Sequence, residues 1–131
     1  MNMRMGWDKL LTTTKIYPSS QRVNDDNDRS EFERDLNKIT FSPHFRNLQN
    51  KTQLFPKPDS SFIHSRLTHS LEVSSVGRSL ANLVAKRIID NKVEPHLPLN
   101  FAKDIVDIVS AACLLHDVGN PPFGHSGEKA I

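Results

Sequence analysis

Apolar residues recur at helical spacing in three stretches of the chain. Phe32, Leu36 and Ile39 form one stripe, Val73, Val76, Leu80, Leu83 and Ile88 a second, and Ile105, Ile108, Val109, Ala112 and Leu115 a third. They predict helices over 30–41, 68–91 and 100–118. Asp28 or Ser30 can cap the first, whose early Glu31, Glu33 and Asp35 suit the positive end of a helix. Ser42 before Pro43 is a second start signal and predicts a short helix through Gln49. Pro95 and Pro98 end the long helix, while Gly119 and the Pro121-Pro122 pair stop the last one.

Elsewhere the pattern is weaker. The run TQLFPKPDSSFI places two extended pieces around a Pro/Asp/Ser turn and predicts a small β-hairpin near 52–63. Residues 1–28 have little periodicity and read as an irregular N-terminal arm, with Trp7, Leu10 and Leu11 as its anchors. The fold class is therefore all-α apart from that hairpin. Ile131 falls one turn into what reads as another helix, which suggests truncation.

Composition narrows the class. With 131 residues, 24% charged and 37% hydrophobic, the chain is neither fibrous, low-complexity nor a disulfide scaffold. Cys113, the single cysteine, lies in an apolar run, reads as core and suits a reducing compartment. The N-terminus lacks the apolar stretch of a signal peptide. The most apolar window, 105–118, is interrupted by Asp107, His116 and Asp117, short of the ~18 apolar residues a membrane span needs. A cytoplasmic protein without a membrane partner is expected. Charge is distributed in blocks: residues 38–87 hold eight Lys and Arg against two Asp and Glu, a field that favours a polyanion such as a nucleoside triphosphate or a nucleic acid strand.

The chemistry concentrates in a few residues. His69 lies four residues before Val73, and His116 four after Ala112, so each imidazole is expected on the buried side of its helix. Asp117 adds a carboxylate about 100° further round. Two imidazoles and a carboxylate suit a catalytic divalent metal that keeps open positions for water and a phosphate oxygen. A single histidine is more often a hydrogen-bonded core residue, but the sequence GNPPFGHSGE follows immediately. Its Pro-Pro break and Gly-flanked turn would bring His125 and Glu128, three residues apart, back beside that helix end as an acid/base pair.

These residues carry a resemblance. RLTHSLEV (66–73), HDVGNPPFGHSGE (116–128) and FRNLQNKTQLFP (45–56) resemble, in order and approximate spacing, the N-terminal part of the deoxyguanosine triphosphate triphosphohydrolases, a branch of the HD-domain metal-dependent phosphohydrolases. The resemblance covers residues 29–131 and implies an all-α HD fold that splits dGTP, and in some members other dNTPs, into deoxynucleoside and triphosphate. It implies a divalent ion, Mg²⁺ or Mn²⁺ foremost and otherwise Co²⁺ or Fe²⁺, on His69, His116 and Asp117. It further implies catalytic roles for His125 and Glu128 and substrate contacts by Gln53, Arg66 and Arg46. Members are oligomeric, and some bind single-stranded DNA. The family's fourth ligand, an aspartate, lies far downstream of the HD motif, beyond Ile131. Many members carry His where this chain has Asn120, and some carry Asn. Two other readings stand beside this one: an inactive fragment that binds nucleotide or single-stranded DNA, and an HD phosphohydrolase acting on another phosphoester.

Overall fold

A computed structural model describes residues 6–16, 29–51, 64–93, 96–121, 127 and 129. Among them the elements are α1 (Trp7–Leu10), α2 (Glu31–Phe41), α3 (Pro43–Arg46), a 3₁₀ turn (Asn47–Asn50), α4 (Arg66–Asp90) and α5 (Phe101–Leu115), with no strand. The all-α class is thus observed. The hairpin expected near 52–63 lies outside the described residues.

Serine side chains begin three of these helices. Ser30 Oγ accepts from Glu33 N–H, Ser42 Oγ from Phe45 N–H with Pro43 in the first turn, and Ser65 Oγ from Thr68 N–H. The Ser65 cap starts α4 two residues before the expected position. At the other end, α5 stops at Leu115 rather than 118. Val118 N–H reaches only Leu115 O at 3.0 Å, and Gly119, at φ +91°, turns the chain away in a conformation that glycine adopts without strain.

Two of the expected buried stripes pack only in part, with Val73, Ile88, Ile105, Ile108 and Val109 half-buried. On α4, Val76, Leu80 and Leu83 are exposed, while Ser70, Ala81 and Ala85 are buried. Small residues win because α4 and α5 run antiparallel in close approach, with Ser74 Oγ donating to Ser110 O at 3.2 Å and Gly77 set against Cys113. On α5, Leu115 and Ala112 are exposed, and the buried set is Phe101, Asp104, Val106, Asp107, Ser110 and Leu114. This helix packs against both α4 and α2, so its buried surface is wider than one stripe. Cys113 is half-buried.

A core of Phe45, Leu48 and Leu114, with Leu36, Ile39, Leu67 and Val118 against it, ties α2, α3, the 3₁₀ turn and the facing ends of α4 and α5 together. At the opposite end of α5, Trp7 stacks edge-on against Phe101 with ring centroids 5.1 Å apart. Trp7 is an anchor as expected, whereas Leu10 is exposed. Lys15 bridges Glu31 and Asp35 of α2 at 3.2 and 3.0 Å.

Candidate metal centre

The core fixes the backbone around three polar side chains. Leu67 precedes His69 by two residues, Leu114 precedes His116 by two, and Val118 follows Asp117; each of these apolar residues packs into the same cluster. His69 leaves the first turn of α4 and His116 caps the end of α5. Their rings meet edge to face, with centroids 5.2 Å apart. Both were expected on buried faces. The structure instead sets them at the rim of the helix pair, with His69 half-buried and His116 exposed. Because α5 ends before His116, that ring is not carried into the core by the helix.

The donor atoms suit a metal ion. His116 Nδ1 lies 2.7 Å from Cys113 O, and since a carbonyl can only accept, that nitrogen carries the proton. The lone pair is therefore on Nε2, which stands 3.5 Å from Asp117 Oδ2. Ligand bonds of ~2.1 Å put neighbouring donors ~3.0 Å apart in an octahedron and ~3.4 Å in a tetrahedron. One ligand atom from each of His69, His116 and Asp117 lies within 4.8 Å of the others, so the group could hold a metal. A fixed tautomer on a ligating histidine, set by a hydrogen bond from its other nitrogen, is usual at such sites.

Two cations flank the group. Arg66, at the start of α4, donates to Asn120 O at 3.5 Å and Pro121 O at 3.4 Å, and Lys51, at the end of the 3₁₀ turn, donates to Asn120 O at 3.3 Å. Arg66 was expected to contact substrate; Lys51 and Asn120 were given no role by the sequence reading. Lys51 sits two residues before Gln53 in the FRNLQNKTQLFP segment, and Asn120 is a short amide three residues after Asp117, a spacing that allows local side-chain hydrogen bonding. Those were the available signals. Arg46 stands over the Phe41 ring, 5.9 Å from its centroid. Gln53, His125 and Glu128 lie outside the described residues. The buried Asp104 and Asp107 lie toward the start of α5, and among the described residues neither joins the His-His-Asp group.

The fold and this His…His-Asp arrangement define a class: the chain belongs to the HD-domain family, whose model matches residues 66–131. Within that class its similarity is to one branch. It is 44% identical over 128 residues to a deoxyguanosinetriphosphate triphosphohydrolase-like protein of Listeria innocua and 46% identical over 127 residues to one of Pseudomonas aeruginosa. Each match covers 97% of this chain and 28% of the relative. A deoxyguanosinetriphosphate triphosphohydrolase of Klebsiella pneumoniae is 46% identical over 101 residues, 76% of this chain and 20% of that protein. The chain thus spans little more than a quarter of the length of the first two relatives.

Proposed function

We propose that the chain supplies the metal-binding and phosphate-facing residues of an enzyme that hydrolyses dGTP, and other dNTPs with it, to deoxynucleoside and inorganic triphosphate. The observation that carries this reading is the convergence of His69, His116 and Asp117 beside Lys51 and Arg66. A divalent ion there, Mn²⁺ or Mg²⁺ foremost with Co²⁺ or Fe²⁺ as further fits to this donor set, would supply Lewis acidity toward a phosphoryl oxygen and water. His69, His116 and Asp117 hold that ion. Lys51 and Arg66 neutralise the triphosphate, with Arg46 and Gln53 as the further substrate contacts that the family resemblance supplies. Water attacks the α-phosphorus, the bond to the 5′-oxygen breaks, and that oxygen takes a proton. His125 and Glu128 exchange the protons of the attacking water and the leaving oxygen. Cytoplasmic location, homo-oligomerisation and contact with single-stranded DNA belong to the same proposal; the net positive charge of residues 38–87 favours the last.

The test is product identification. An enzyme that carries this chain together with the downstream aspartate, incubated with dGTP and Mn²⁺, should release deoxyguanosine and triphosphate. His69→Ala and Asp117→Ala should each lower turnover by more than about 100-fold, beyond what losing an outer partner of a ligand costs. Orthophosphate as the sole inorganic product would move the reaction to another phosphoester. Retention of dGTP without any product, weakening steeply with salt, would favour a binding role carried by the basic segment.

A further inference from the structure

One residue touches both halves of the site. Asn120 Nδ2 donates to Asp117 Oδ1 at 2.9 Å, and the Asn120 carbonyl is the oxygen on which Lys51 and Arg66 converge. The amide orientation follows from chemistry, since a carboxylate can only accept. Gly119 makes the contact reachable: its positive φ folds the chain back so that Asn120 N–H points at Asp117 O, 3.4 Å away, and the side chain lies against the carboxylate. With Oδ1 engaged by the amide, Oδ2 is the Asp117 oxygen that faces His116 Nε2.

We propose that Asn120 is a positioning residue that holds Asp117 as a one-oxygen ligand and links it, through its own carbonyl, to the Lys51–Arg66 pair. The proposal rests on the reading of His69, His116 and Asp117 as metal ligands. Without the amide, the Asp117 carboxylate can rotate about its Cβ–Cγ bond, and each rotamer that turns Oδ2 away from His116 lowers the fraction of chains ready to bind. The backbone carbonyl remains in any substitution at 120, so the cation pair keeps its anchor.

Mn²⁺ titrations of the full chain, read by loss of the free-ion paramagnetic resonance signal, test this. Asn120→Ala should weaken Mn²⁺ binding about 10-fold or more, in the range that loss of an outer partner of a ligand produces. Asn120→His, which restores an N–H donor at the same reach, should recover most of the affinity, a rescue that a merely space-filling role would not show. Should Asn120→Ala lose its helical circular dichroism, Asn120→Leu fills the same space without a donor and should show the same weakening. His69→Ala separates this proposal from the reading beneath it. Binding abolished in His69→Ala but within twofold of the parent in Asn120→Ala or Asn120→Leu overturns the role of Asn120, whereas binding that survives His69→Ala overturns the metal site itself.

Discussion

Asp107 is a carboxylate held out of water. It is 7% exposed, and its Oδ2 has no partner. Burial pushes its pKa above the usual carboxylate range; Lys103 and Arg78 oppose the shift, while Glu33 and Asp104 add to it. The folded state therefore holds the proton more tightly than the unfolded chain does. The stabilisation that protonation brings is complete below the ordinary Asp value of about 3.9 and is lost as pH rises through the raised one. Asp107→Asn should accordingly stabilise the fold at pH 7 by about 1 kcal/mol in urea melts, with the gain shrinking toward pH 4. A loss at pH 7 would mean that the carboxylate has a partner worth more than its desolvation. At this scale the sequence was informative where chemistry forced the choice: His69, His116 and Asp117 were legible as one group from residue type and spacing together with the GNPPFGHSGE run that follows them. Asn120 was not. Its role depends on the turn at Gly119, and a turn's return path is set by backbone geometry that residue types only hint at.

At the scale of the helices, the caps were readable and the packing faces were not. Ser30 and Ser42 start α2 and α3 as their sequence context predicted, because capping is decided within four residues. Which face of α4 packs is decided by α5, and α5 selects the small side chains. A methyl group added to Gly77 would stand 2.6 Å from Cys113 Sγ and 3.4 Å from Val109 Cγ1. This close approach predicts a reversal of sign. Gly77→Ala should destabilise the native chain by about 1 kcal/mol through overpacking. In a Cys113→Ala background the obstructing sulfur is gone, and the same substitution should stabilise by up to about 1 kcal/mol through helix propensity alone. Thermal melts of the four variants give the coupling, and equal effects in both backgrounds would show that the helices are not in contact at Gly77.

For the molecule as a whole, the packed interior is divided between the two ends of the α4–α5 pair, with Ala81, Ala85, Phe101 and Val106 buried away from the site. Among the described residues the buried apolar side chains number seven, and Phe45, Leu48 and Leu114 lie under the His-His-Asp group. Val76, Leu80, Leu83 and Val84 meanwhile share an exposed stretch of α4, at 61, 57, 59 and 52%. The periodicity that marked most of them as buried measures hydrophobicity and cannot tell which surface the described elements supply to cover it. No helix among the described residues is long and apolar enough to cross a membrane. At the site end, α4, α5 and the 3₁₀ turn bring two imidazoles, a carboxylate and two cations together. Whether those imidazoles share one ion is read by electron spin-echo modulation of Mn²⁺ bound to the chain. Two coordinated imidazole nitrogens are predicted, one from His69 and one from His116. An ion with no imidazole nitrogen, or with only one, would contradict the site described for this HD-domain chain.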